Sequence, residues 1–332
     1  VRKIYSFFFL IYDKKYNIIY MTLFEKIQES RDIKEKSINA YITSLKKIHN
    51  YIDDGSDFDS LKFLDSKKFK EVLEFLETLK LPTRKNYIAA ILVALSSEKS
   101  PNDKLIEKYR NHLDILAVEY NKKIKSHEKS EKLEKNWVTM KELLDIVKRY
   151  KREIKERNLD KKDTFNKKDL DLYQKYLVGS LYTILPPLRN DYANMKVITF
   201  KEYENIEDKK NNYLVIVSKS KKFFSFGAYK TSEVYGIKTL DIPRNLNNII
   251  NKWLERNKTG FFLINTKNEP LSENGLTKFL YKTFENTGKK ISSTIIRHVY
   301  LSDKYKDVND EKAKVASQMM HSVAEQNNYI KS

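Results

Sequence analysis

Cysteine is absent from all 332 residues of the chain. Its absence excludes disulfide staples, thiolate metal sites and cysteine nucleophiles, so any chemistry must use oxygen or nitrogen side chains. Glycine and proline are scarce, at 7 and 6. That scarcity, with 40% hydrophobic and 12% aromatic residues, describes a folded, helix-rich protein rather than a disordered basic tail. Long apolar runs are also missing. The longest, Ser6 to Tyr12, is far shorter than the roughly 20 residues of a membrane span. Arg2 and Lys3 precede it, but Asp13, Lys14 and Lys15 follow with no small-residue cleavage site, so an intracellular protein without a membrane partner is expected. No Gly-rich phosphate loop and no His-x-x-x-His pair occurs, and neither a cofactor nor a metal is expected.

What the chain has in excess is positive charge. Sixty-four Lys and Arg face 45 Asp and Glu, a formal net charge of +19, which favours a polyanionic partner and, among those, nucleic acid. Residues 1–140 carry +6 and residues 141–332 carry +13, as suits two parts that clamp a duplex from two sides. A compositional bias toward Lys, Asn, Ile and Tyr is the competing explanation for part of that charge.

Periodicity divides the chain. Residues 1–20 read as a leader or upstream reading frame, because Met21-Thr22-Leu23 opens a more ordinary sequence. From 21 to 120 the pattern is helical: Ile38, Tyr41, Ile42, Leu45, Ile48 and Ile52 fall on one face. A second helix carries Phe69, Val72, Leu73, Leu76 and Leu79 and stops at Pro82. A third starts at Thr83, and a fourth follows Ser100-Pro101 with Leu105, Tyr109, Leu113, Leu116 and Tyr120, making a four-helix bundle. Residues 121–136, dominated by Lys and Glu, read as a charged linker. Thr139-Met140-Lys141-Glu142 then has the form of a capping box, so residues 137–332 form a second domain. There the spacing predicts helices over 139–157 and 168–185 and strands at 196–200, 213–218, 223–230 and 237–242. Further helices follow Pro243 and Ser272 and cover 293–304 and 309–320.

Several basic residues sit in distinctive settings. Arg189 follows Leu185-Pro186-Pro187-Leu188, and Lys230-Thr231 falls at a predicted hairpin. Arg297-His298 lies inside an otherwise apolar helix, where an unpaired charge is costly and an anion would be its natural partner. His321-Ser322 is followed eight positions later by Tyr329. Taken singly, Arg189 reads as a surface residue, Lys230 as one of many lysines, His321 as a core histidine, and Tyr192, His298 and Tyr300 as packing residues.

In this order the motifs resemble the tyrosine recombinase, or phage-type integrase, family. That family carries an Arg after a helix-ending Leu, a Lys in a β-hairpin, a second Arg followed by His, then His-Ser with a Tyr close behind. The resemblance covers both predicted domains. It implies a mainly α fold with a small antiparallel β-sheet: an N-terminal four-helix core-binding domain, then an α+β catalytic domain. It also implies a site-specific recombinase or integrase that cleaves and rejoins duplex DNA through a 3′-phosphotyrosyl intermediate, without metal or ATP. The partners implied are double-stranded DNA and three further copies of the chain, a homo-tetramer on synapsed sites built from protomers that can be monomeric in free solution, and the location DNA-associated. A topoisomerase IB-like relaxing enzyme and a catalytically decayed DNA-binding homologue are the alternatives.

Under this resemblance Arg189 and Arg297 hold the phosphate, since guanidiniums are always ionised and fork-shaped. Tyr329 is the nucleophile, Lys230 the general acid, and His321 a hydrogen-bond partner of the phosphate. Thr294 and His298 support these groups. Thr294 stands where the family usually has His or Lys, the interval from His321 to Tyr329 is one residue shorter than usual, and three residues follow Tyr329 where many members continue with a helix that docks on a neighbour.

Overall fold

The computed structural model describes residues 21–125, 129–162 and 164–320, with Val323 and Gln326. The chain divides into two compact units, Val1–Glu128 and Lys129–Ser332. The segment 1–20 lies outside the described residues, as do His321, Ser322 and Tyr329.

The first unit holds α1 (Leu23–Ser30), α2 (Glu35–Ile52), α3 (Phe69–Glu77), α4 (Leu81–Ser96) and α5 (Asp103–Lys125). Pro82 falls in the first turn of α4, where its missing N–H leaves no bond unmade. It therefore starts that helix rather than ending the one before. Tyr87, Ile88, Ala90, Ile91, Ala94 and Leu95 form one broad buried face of α4, which packs against α1, α2, α3 and α5 at the centre of the unit. Five helices rather than four are found among the described residues. The extra one, α1, inserts only Leu23 and Ile27, too few for a periodic signal, and is started by a capping box between Thr22 and Glu25. The expected linker at 121–136 is helical at both ends, because α5 continues to Lys125 and α6 spans Glu131–Lys135. Lys and Glu are good helix formers even without an apolar face.

The second unit continues from α6 with α7 (Met140–Glu156) and α8 (Lys167–Ile184). The Thr139–Glu142 capping box is formed as its spacing predicts. At Gly179, α7 and α8 approach so closely that a Cβ would lie 2.7 Å from Val147 Cγ2. The sheet follows: β1 (Lys196–Thr199), α9 (Phe200–Glu204), β2 (Asn212–Ile216), β3 (Lys222–Phe226), α10 (Ser232–Tyr235) and β4 (Lys238–Asp241). Its order is β1-β2-β3-β4. The β2–β3 and β3–β4 pairs are antiparallel, but β1 runs parallel to β2, with Lys196 opposite Tyr213. The sheet is therefore mixed, not wholly antiparallel. The reason is the connection: parallel neighbours need a long crossover, and α9 with residues 205–211 supplies one. Then come α11 (Arg244–Arg256), α12 (Glu273–Thr283), α13 (Ser293–Lys304) and α14 (Lys306–Gln318).

The core of this unit gathers α7, α8, α11, α12, α13 and one sheet face around Trp253, whose indole N–H donates to the Phe262 carbonyl at 2.7 Å. Residues 261–264 form only isolated bridges, because their backbone is taken by Trp253 and by Gln174, which bonds both the N–H and the carbonyl of Ile264. Among the described residues no helix is long and apolar enough to cross a membrane.

One buried charge ties the start of α8 together. Asp169, with a side chain 1% exposed, accepts from Arg157 Nη2 at 2.7 Å and from Lys162, and caps the helix through the Asn166 N–H. Burial alone would raise its pKa. The Lys162 and Asn166 hydrogen bonds and the charges of Lys162 and Arg157 outweigh burial and hold it below the ordinary 3.8. A depressed carboxyl stabilises the fold above its unfolded-state pKa and loses that contribution as pH falls through its folded value. Asp169→Asn is expected to cost about 1–3 kcal/mol at pH 7, with the gap from wild type closing below about pH 4. Urea melts of the two proteins at both pH values measure it, and a gap independent of pH contradicts the ion-pair account.

Candidate functional site

The end of α8 sets the position of Arg189. Pro186 and Pro187 cannot continue a helix, and residues 185–191 leave it without regular structure. Such a segment must find other partners for its backbone polar groups. Tyr182 donates its hydroxyl to the Arg189 carbonyl at 2.5 Å, and the Arg189 N–H donates to Asp191 Oδ2 at 3.1 Å. Burial raises the Asp191 carboxyl above 3.8, despite the opposing Arg189 N–H and guanidinium charge.

Two asparagine amides then bind this segment to the rest of the unit. Asn190 donates to Thr277 Oγ1 at 2.9 Å and to the Glu273 carbonyl at 3.1 Å, both on α12, and accepts from Ser293 Oγ at 3.0 Å. Ser293 is the first residue of α13 and lies one turn before Arg297. Residues i and i+4 share a helix face, so Arg297 is one step along the face that Asn190 holds. Asn212, buried at the start of β2, donates to the Asp191 carbonyl at 2.8 Å and the Ala228 carbonyl at 3.0 Å, and accepts from the Ala228 N–H at 2.8 Å. Ala228 is the second residue of the β3–β4 connection, two residues before Lys230. The segment 189–191 is thereby joined to the Lys230 loop on one side and to the Arg297 helix on the other.

Lys230 lies in the loop rather than on a strand, since β3 ends at Phe226 and not at Lys230 as the alternation suggests. The chain leaves the ladder because the Gly227 N–H pairs with the Asn211 carbonyl and the Asn212 side chain takes up Ala228. Gly227 is required at this crossing, because a Cβ would meet the Lys209 carbonyl at 1.8 Å.

Arg189 and Lys230 are exposed, and Arg297 is half-buried rather than fully buried as its apolar neighbours suggest. Their charged ends have no hydrogen bond or ion pair with any described residue, a condition shared with other exposed lysines such as Lys47 and Lys141, whereas Arg157, Lys162, Lys175 and Lys282 find carboxylates. Thr294 and His298 are exposed on α13, one turn apart. Tyr192, in contrast, is fully buried among Tyr182, Phe224, Phe226 and Phe262. It fastens the residue after Asp191 to the sheet.

The structure thus brings Arg189, Lys230 and Arg297 onto connected segments. His321 and Tyr329, with Ser322, lie outside the described residues. Among the described residues no group of three or more His, Asp or Glu is placed to hold a metal. The residues missed by sequence reasoning are Asn190 and Asn212. A buried Asn opening an apolar strand runs against strand preference, and that was the available signal. No family model, no curated protein and no solved structure matches the chain.

Cations that pair with no described residue, carried on connected segments, are tested as a site with an anion. Phosphate at 50 mM is expected to raise Tm by about 2–4 °C over chloride at equal ionic strength. The increment should shrink by more than half in Arg189→Ala and in Arg297→Ala, whose own Tm in chloride should match wild type because no partner is lost. Differential scanning fluorimetry reads both, and an undiminished increment in the variants counts against the site.

Proposed function

We propose that the chain is a DNA strand-transfer enzyme of the tyrosine recombinase type. The observation that carries the reading is that three cations without a partner among the described residues, Arg189, Lys230 and Arg297, lie on segments joined by Asn190 and Asn212. A net charge of +19 supports a duplex as the substrate.

In this reading the guanidiniums of Arg189 and Arg297 hold the non-bridging oxygens of one phosphodiester, where negative charge builds during attack. Exposure of Arg189 suits a substrate as large as DNA, and neither fork, Arg189 or the half-buried Arg297, pairs with a described carboxylate. Tyr329 Oη forms a bond to phosphorus as the bond to the 5′ oxygen breaks. Overall, the tyrosine proton ends on the sugar hydroxyl, with Lys230 making the last transfer. His321 hydrogen-bonds the same phosphate. The 3′-phosphotyrosyl ester conserves the bond energy, so a second 5′ hydroxyl reverses the step on another strand without ATP. Exchange between two sites calls for four protomers on synapsed DNA.

A pool of nicked suicide duplexes, randomised across the cleavage region, tests the reading because the lost fragment traps the intermediate. Wild type is expected to give a covalent adduct on a denaturing gel, and Tyr329→Phe none. Arg189→Ala and Arg297→Ala should lose about 100–1,000-fold in cleavage rate while retaining most binding, since most phosphate contacts lie elsewhere. No adduct from wild type, or an undiminished one from Tyr329→Phe, removes the assignment.

A further inference from the structure

The two asparagines differ in what they join. Asn190 fastens one catalytic segment to helices of the core, whereas Asn212 spans two segments that each carry a candidate reacting group. Its three hydrogen bonds all go to main-chain atoms of those segments: the Asp191 carbonyl, two residues after Arg189, and both the carbonyl and the N–H of Ala228, two residues before Lys230. The side chain is buried. Without it, the carbonyls of Asp191 and Ala228 would lose the donor they share.

The backbone around Asn212 leaves little slack. Its own residue is paired in the sheet opposite Phe226, and the preceding carbonyl, of Asn211, accepts from Gly227 at 3.1 Å. Gly227 lies against the Lys209 carbonyl so closely that no side chain fits there. One side of the Lys230 loop is therefore anchored to β2 through two consecutive residues, and Asn212 extends that anchor to the Arg189 segment. Lys230 itself has no hydrogen bond or ion pair to a described residue that would fix its ammonium. Placement of the ammonium depends on the backbone beneath it.

From this geometry we propose that Asn212 is a positioning residue that sets the general acid Lys230 against the phosphate held by Arg189, an inference that rests on the reading of the site as a tyrosine recombinase centre. Its contribution falls on protonation of the leaving 5′ oxygen. Displacing an acid by about 1 Å costs on the order of 100-fold in rate, whereas gripping the phosphate and binding the duplex use other groups.

A change of leaving atom separates this role from a structural one. When sulfur replaces the bridging 5′ oxygen, the leaving group departs as a thiolate and needs no proton. A suicide duplex selected from the randomised pool is prepared in both forms, and adduct formation is timed for wild type, Lys230→Ala, Asn212→Ala and Asn212→Asp. The Asp variant keeps the size and the acceptor for Ala228 N–H but presents no donor to the two carbonyls.

Both Asn212 variants are expected to lose about 30–100-fold on the oxygen substrate and less than about 3-fold on the sulfur substrate, following Lys230→Ala. Fluorescence anisotropy should show DNA binding with an unchanged salt slope. Equal losses on the two substrates, no loss on either, or failure of both variants to fold overturns the positioning role. Those outcomes leave the wild-type adduct intact, so they are distinct from failure of the functional reading, which appears as no wild-type adduct or as a Lys230→Ala protein that sulfur does not rescue.

Discussion

Side-chain amides replacing absent secondary structure are the constraint on which this site depends. Between the end of α8 and the start of β1 the chain makes neither helix nor ladder, so its polar groups must be met individually. Tyr182, Asp191 and Asn212 meet backbone groups of residues 189–191, while the Asn190 side chain ties the segment to α12 and α13 and Asn212 also bonds the β3–β4 loop. An amide suits this position better than a charged group. It presents two donors and an acceptor in one plane and adds no charge to a region already holding cations.

The charge itself has a cost that the fold must absorb. Like charges brought near one another repel, the more so the less water lies between them. Elsewhere the second unit neutralises such groups, as Asp169 does for Arg157 and Lys162. At Arg189, Lys230 and Arg297 no described carboxylate makes an ion pair, and water screens the exposed Arg189 and Lys230 more fully than the half-buried Arg297. Bound phosphate would relieve the repulsion, so the stability forgone in the free protein becomes affinity for an anion. Burial of Tyr192 in an aromatic cluster keeps this arrangement fixed from beneath.

Much of the fold was legible because helices advertise themselves. The periodicity of Ile38 through Ile52 marks α2, the Thr139–Glu142 box marks the start of α7, and Ser272 marks the start of α12. The short α1 escaped because two inward residues make no period. The parallel pairing of β1 with β2 escaped because alternation reveals a strand but not its neighbour or direction. The site was legible in its charges and not in its wiring. Arg189, Lys230 and Arg297 stand out by context, but the bonds of Asn190 and Asn212 cross from loop to helix and from strand to loop, and no local pattern records them.

The proposed function reduces to one chemical event, transfer of a DNA 3′ phosphate to a tyrosine. Mass spectrometry of the trapped adduct after nuclease and protease digestion addresses it most directly. The account predicts a peptide containing Tyr329 that carries a nucleotide through its 3′ phosphate. A nucleotide on any other residue, or attachment through a 5′ phosphate, contradicts it.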